Sequence, residues 1–155
     1  MATENQNSNH LLLDTLPSAK GLRFALVVSH WNSEITESLY EGAKNILSQK
    51  NATQIDRIDV PGSFELVYAS RSAIDREYDA VIAIGSVIRG ETSHFDYVCQ
   101  GVTNGIQQLN AMGKIPVIFC VLTDDNLEQS QARSGGSLGN KGVEAAAAAI
   151  QMAKL

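Results

Sequence analysis

Residues 79–98 read DAVIAIGSVIRGETSHFDYV. The first nine, Asp79 to Val87, form a short and nearly unbroken apolar run, the pattern of a strand buried on both faces of a parallel sheet. Arg89-Gly90-Glu91 follows as a glycine-containing loop, and Thr92 or Ser93 is placed to cap a helix. That helix should run from His94 to about Met112, because Phe95, Val98, Val102, Ile106 and Leu109 recur three or four residues apart on one face. Gly113 stands where a helix C-cap favours glycine.

The same unit repeats on either side. Leu22 to Ser29, LRFALVVS, reads as a first strand, and Asn32 or Ser33 as the cap of a helix carrying Ile35, Leu39, Ala43, Ile46 and Leu47 at helical spacing. Glu34 and Glu37 lie in its first turn, with Lys44 and Lys50 toward its end, as the helix dipole favours. Gln54 to Val60 reads as a second strand, and Pro61-Gly62-Ser63 breaks it and caps a helix to about Asp75. Ile115 to Leu122, IPVIFCVL, is the fourth strand; Asp124 or Asp125 begins a short helix to about Arg133. A glycine-rich stretch, Ser134 to Asn140, precedes a last helix, Lys141 to Lys154, that is mostly alanine. Alternating strands and helices give an α/β fold, a central four-stranded parallel sheet with helices on both faces and right-handed crossovers.

A length of 155 residues fits one domain, residues 21–155, preceded by an arm, residues 1–20. The arm reads as partly mobile, with one apolar patch, His10 to Leu13, able to add as a short strand to a neighbouring subunit's sheet edge. With 44% hydrophobic residues the chain is globular in composition, and no apolar run approaches the roughly 20 residues that span a bilayer. Asp plus Glu is 17 against 12 for Lys plus Arg, a net charge of -5 without a long basic run, which argues against nucleic acid and anionic membranes as partners. Cys99 and Cys120 form neither a disulfide framework nor a zinc pattern, and the N-terminus lacks a secretory signal, so a reducing cytoplasm is expected. An alanine-rich last helix buries little area, so the core should draw on a partner subunit.

In such sheets ligands bind beyond the carboxyl ends of the strands. The start of the His94 helix offers free backbone N–H groups and a dipole for an anion; Gly90 permits close approach, and His94 is placed to exchange protons near neutral pH. The loop lacks both the Walker GK[ST] ending and the G-x-G-x-x-G of a dinucleotide site. In Arg133–Lys141, RSGGSLGNK, Arg133 presents a planar fork suited to phosphate, and Lys141 sits at a helix N-terminus, where the dipole disfavours it and an anionic ligand would explain it. Trp31, the one tryptophan, could stack on a heterocycle. The Ser63 and Phe64 backbone and the Glu65 carboxylate suit a polyol or imide edge. Asp124-Asp125 reads as a capping pair rather than a metal site.

Four motifs together carry a resemblance: PGSFEL (61–66), RGETSHFDYV (89–98), PVIFCVLTDDNLEQ (116–129) and GNKGVEAA (139–146). In that order, across Gly21 to Leu155, they resemble the 6,7-dimethyl-8-ribityllumazine synthase family. The resemblance implies a three-layer α/β/α sandwich of the flavodoxin-like kind. It also implies a transferase that condenses 5-amino-6-(D-ribitylamino)uracil with 3,4-dihydroxy-2-butanone 4-phosphate in the penultimate step of riboflavin biosynthesis, without metal or organic cofactor. Carried over by motif, Trp31 would stack on the pyrimidine, Ser63, Phe64 and Glu65 would hold the ribityl chain, and Ser86, Val87 and Ile88 would line the ring, with Phe119 closing the pocket. Glu91 and Thr92 backbone groups, with Arg133 and Lys141, would hold the phosphate, and His94 would move the proton. His30 and Cys120 stand where many relatives have Arg and Gly. Family members form pentamers with sites between subunits, and some form decamers or sixty-subunit icosahedral shells; riboflavin synthase is a candidate partner. The alternative is a non-catalytic flavin or lumazine binder, or a shell-forming protein.

Overall fold

Four strands pair in parallel in the order β2-β1-β3-β4 in the computed structural model, which describes residues 15–155. They are β1 (Arg23–Ser29), β2 (Gln54–Val60), β3 (Ala80–Ile88) and β4 (Val117–Asp124). The register sets Val28 against Ile84, Ser29 against Val60, and Ile88 against Asp124. The strands therefore end at one side of the sheet, where the connecting loops gather.

Side chains alternate across the two central strands. Phe24, Leu26 and Val28 of β1 and Ile82 and Ile84 of β3 pack under α1 (Ser33–Gln49) and α5 (Lys141–Met152). Ala25, Val27, Val81 and Ala83 face α2 (Leu66–Ile74) and α3 (His94–Met112). Burial on both faces is why these runs are continuously apolar rather than alternating. The result is the expected three-layer, flavodoxin-like arrangement. The fourth helix in sequence order, α4 (Leu127–Arg133), leads into the hairpin β5 (Ser134–Gly136) and β6 (Gly139–Asn140), where only a glycine-rich stretch was expected.

Alanines in α5 are a packing requirement. Ala146, Ala147 and Ala149 are fully buried, and a Cβ at Gly142 would stand 1.9 Å from the Leu39 carbonyl oxygen. Small residues here let α5 lie directly on α1. The helix ends at Met152, two residues before the expected Lys154.

Several expected caps are not caps. Asn32 is left-handed, with φ 57°, and its side-chain amide donates to the Ser86 carbonyl at 2.9 Å instead of capping α1. Ser93 makes no side-chain cap bond to α3, and α2 starts at Leu66 behind Glu65, not at Ser63. Asn126, rather than Asp124 or Asp125, caps α4 by accepting the Gln129 N–H at 3.0 Å. In the stretch expected to be an arm, Leu16 and Ala19 are buried in the core, and Lys50 donates to the Leu16 carbonyl at 3.1 Å. The His10–Leu13 patch lies outside the described residues.

Candidate active site

Trp31 follows β1 directly and is 73% exposed, so the ring is not core packing. Gly62 makes room beneath it: a Cβ there would lie 3.3 Å from Trp31 Cδ1 and 3.0 Å from Glu65 Oε2. Indole and carboxylate thus meet over one glycine. Ser63 sits over β3 in the same way, since a Cβ at Gly85 would stand 2.6 Å from its hydroxyl. The Ser63 and Ser86 hydroxyls, like those of Ser29 and Ser70, are buried without a partner, an uncommon state for interior polar groups. Asn32 joins this group through its bond to the Ser86 carbonyl, which fixes the backbone of the strand end. Val87 and Ile88 are half-buried at the end of β3. Phe64 turns away, its ring lying on Gly101 of α3, where a Cβ would meet it at 2.6 Å. The side chain supports the turn, leaving the backbone as the part of Phe64 available to a ligand.

The loop from Arg89 to Ser93 is closed by Arg89. Its N–H donates to the Asp124 carbonyl at 3.0 Å, its Nε to Asp125 at 2.9 Å, and one terminal nitrogen to Asp96 at 3.2 Å, while the guanidinium carbon lies 4.1 Å from the centre of the Phe95 ring. Two carboxylates that would oppose an anion at the α3 N-terminus are thereby engaged. The hydrogen bonds that Arg89 donates to Asp125 and Asp96 push its already high pKa up further. Glu91, Thr92 and His94 are exposed on this loop, and the His94 N–H faces the Thr92 hydroxyl at 3.4 Å. Nothing lies within 4 Å of where a Gly90 Cβ would be, so the space above that backbone is open.

An open cleft of about 920 Å³ runs along β4, lined by Phe119, Asp124, Arg133, Lys141 and Glu144. Both expected cations reach it, each with a carboxylate. Lys141 donates to both Glu144 oxygens, at 2.7 and 2.9 Å, so the ion pair with Glu144, one turn along α5, accounts for a lysine at this helix start. Arg133 donates to the Gln129 carbonyl at 3.0 Å and lies 4.0 Å from Asp124. Phe119 is partly exposed beside Cys120, whose thiol burial and the nearby Glu144 charge push up to about 12, leaving it a neutral packing group at ordinary pH.

Trp31, Ser63 and Glu65 therefore come together beside the Ser86 carbonyl that Asn32 holds, and Phe119, Arg133 and Lys141 line a separate cleft. His94, Glu91 and Thr92 occupy the loop following β3. Sequence reasoning placed Asn32, Gly85, Arg89 and Asp124 in or beside the strand-end loops but gave them no role at the site. The RG pair of the loop motif was the one local signal for Arg89; the others act across the sheet, where spacing carries no signal. Among the described residues no group of three His, Cys, Asp or Glu is placed to hold a metal ion, and no helix is long and apolar enough to cross a membrane.

Comparison with known proteins gives the same answer. The family described as 6,7-dimethyl-8-ribityllumazine synthase matches residues 21–155. A protein of that name from Flavobacterium johnsoniae is 57% identical over 156 residues, covering 99% of this chain and 82% of the relative. Its counterpart in Christiangramia forsetii is 54% identical over 162 residues, covering 100% of this chain and 95% of the relative. The Parabacteroides distasonis counterpart is 50% identical over 156 residues, at 98% and 97% coverage. With the sheet order, the exposed tryptophan over its glycine and the open glycine loop after β3 already in place, these matches put the chain in the 6,7-dimethyl-8-ribityllumazine synthase family.

Proposed function

We propose that the surface at the carboxyl ends of the strands is where this transferase condenses 5-amino-6-(D-ribitylamino)uracil with 3,4-dihydroxy-2-butanone 4-phosphate to 6,7-dimethyl-8-ribityllumazine. The observation that carries this reading is the group formed by exposed Trp31 and Glu65 over Gly62, with the Ser63 turn and the Ser86 carbonyl held by Asn32 beside them. A flat aromatic beside free hydrogen-bonding groups suits a ring bearing a polyol chain. Trp31 stacks on the pyrimidine, the Ser86, Val87 and Ile88 backbone reads its edge, and Ser63, Glu65 and the Phe64 backbone hold the ribityl hydroxyls. The phosphate lies on the Glu91 and Thr92 backbone under Arg133, with Lys141 beyond.

The substrate amine attacks the ketone and loses water to give an imine. Proton removal then expels inorganic phosphate, and ring closure with loss of a second water gives the lumazine. His94, in the first turn of α3, takes and returns these protons. Amine and ketone are mutually reactive, so the main contribution is proximity and orientation.

Arg133, Lys141 and Phe119 line a different cleft from Trp31, Ser63 and Glu65. This supports a homo-oligomer, a pentamer capable of stacking or closing into a sixty-subunit shell, in which one copy's Phe119 and Arg133 complete a neighbour's Trp31 site. The free thiols suit a cytoplasmic setting, and riboflavin synthase, which consumes the product, is the natural partner enzyme. Mixing both substrates with the protein and following lumazine absorbance with phosphate release tests the reading. Both should rise together above the spontaneous rate; no acceleration would reject catalysis in favour of a binding or shell-forming role.

A further inference from the structure

Asp124 closes β4 and is 6% exposed. Its two carboxylate oxygens have different neighbours. Oδ2 accepts the Ser130 hydroxyl at 2.7 Å, and Oδ1 lies 4.0 Å from an Arg133 terminal nitrogen. That same nitrogen donates to the Gln129 carbonyl at 3.0 Å. Gln129 is itself tied to the strand end: its N–H donates to Asn126 Oδ1 at 3.0 Å, and its side-chain oxygen accepts the Asp125 N–H at 2.9 Å. The whole of α4 is thus pinned to the end of β4, and Arg133 is held between the pinned backbone and a buried carboxylate.

Burying a carboxylate costs stability unless hydrogen bonds and an opposite charge offset it, and well-packed apolar residues at both positions are often neutral or better. Ser130 is fully buried, and its hydroxyl is committed to Asp124. Fold stability alone gives little reason for this pair. What the pair supplies is a direction for Arg133, whose long side chain otherwise loses its rotamer freedom when a ligand binds.

We propose that Asp124 is a positioning residue for the phosphate substrate: held by Ser130, it fixes the Arg133 guanidinium over the cleft along β4 before the phosphate arrives. This rests on the reading of Arg133 as a phosphate-binding residue. Asp124 also sets a negative charge near the anion, which by itself would weaken binding, so the two effects have opposite signs in a variant that removes the charge.

The test is steady-state kinetics with each substrate varied in turn, on the wild-type protein, Asp124→Asn, Arg133→Ala and their double variant. Asp124→Asn should raise KM for 3,4-dihydroxy-2-butanone 4-phosphate about three- to tenfold, the size expected for coupled neighbouring side chains, with KM for the pyrimidine unchanged. That increase should vanish in the Arg133→Ala background. An unchanged or lowered KM in Asp124→Asn, beside a raised KM in Arg133→Ala, overturns the positioning role and leaves the phosphate reading intact. An effect that persists undiminished without Arg133 also overturns it. An unchanged KM in Arg133→Ala overturns both. Should Asp124→Asn fail to fold, Ser130→Ala keeps the carboxylate but frees it, and the same selective rise in KM, smaller in size, is expected.

Discussion

His94 stands exposed in the first turn of α3, beside a loop from which Arg89 engages the Asp96 and Asp125 carboxylates. Its role in moving protons makes a specific claim about kinetics. Replacing it with alanine removes a proton carrier but no major binding contact, so kcat should fall about 10²-fold while both KM values stay within about twofold. The low end of the usual range applies because amine and ketone react without help. Full turnover in His94→Ala, measured under saturating substrates, removes the residue from the mechanism. At this scale the sequence was informative wherever a residue's job is local. Trp31, Ser63 and Glu65 could be picked out because each sits in or beside a tight turn after a strand, and they do meet. Asn32 and Asp124 were misread because an Asn or Asp before a helix reads as a cap. Each instead directs its side chain to a partner outside its own first turn: Asn32 to the Ser86 carbonyl, Asp124 to Ser130 and Arg133.

Elements in this protein are fixed by close backbone approach as much as by apolar area. Where α5 lies on α1, a Cβ at Gly142 would stand 1.9 Å from the Leu39 carbonyl oxygen and 2.7 Å from its carbon, both backbone atoms that no rotamer change can move. Gly142→Ala should therefore cost about 3 kcal/mol or more, at or beyond the upper end of overpacking effects, read as a lowered urea midpoint. Gly90→Ala is the contrast, since nothing lies within 4 Å and the backbone is unstrained. It should leave the midpoint within about 0.5 kcal/mol, as for surface changes generally, yet raise KM for the phosphate substrate if the anion sits on that backbone. The strands and long helices were legible because burial imposes a period of 2 or 3.6 on the sequence, or an unbroken apolar run in β1 and β3. The β5–β6 hairpin was not, because three and two residues carry no period; Asn140 anchors it, donating to the Ser38 carbonyl and accepting the Gly142 N–H. Across the β2 edge, Arg57 pairs with Glu37 of α1 and with Asp59. The Arg57 guanidinium holds the Glu37 carboxyl below its ordinary 4.5. A lowered carboxyl pKa stabilises the fold above that value and stops doing so as pH falls through the folded-state pKa. Arg57→Gln should thus be slightly less stable than the parent at pH 7, by less than about 1 kcal/mol for so exposed a pair. The difference should shrink as acidification below about 4.5 carries the pH down toward and through the lowered Glu37 pKa, which paired urea titrations at pH 7 and pH 3 would record.

Over the whole molecule, five of the nine aromatic side chains, Trp31, Phe64, Tyr68, Tyr97 and Phe119, are exposed on a single chain. Burying such rings is worth about 1.5–3 kcal/mol each, a large driving force for a chain of 16.7 kDa to cover them with copies of itself. Two of them, Trp31 and Phe119, are the rings assigned to opposite sides of one substrate, and they stand by different depressions of the same chain. If neighbouring copies complete each other's sites, impairment on one side can be rescued by a copy intact there. Trp31→Ala and Arg133→Ala, each strongly impaired alone, should regain activity when unfolded together and refolded as a mixture. In a closed ring each site takes one half from each of two neighbours. At equal amounts, random mixing leaves roughly a quarter of the sites with both halves intact. Activity near that fraction of the parent protein, with a light-scattering mass of at least five chains, is the expected result. No recovery, in mixtures shown by mass to have exchanged subunits, means that each chain carries a whole site and that its exposed rings serve assembly alone.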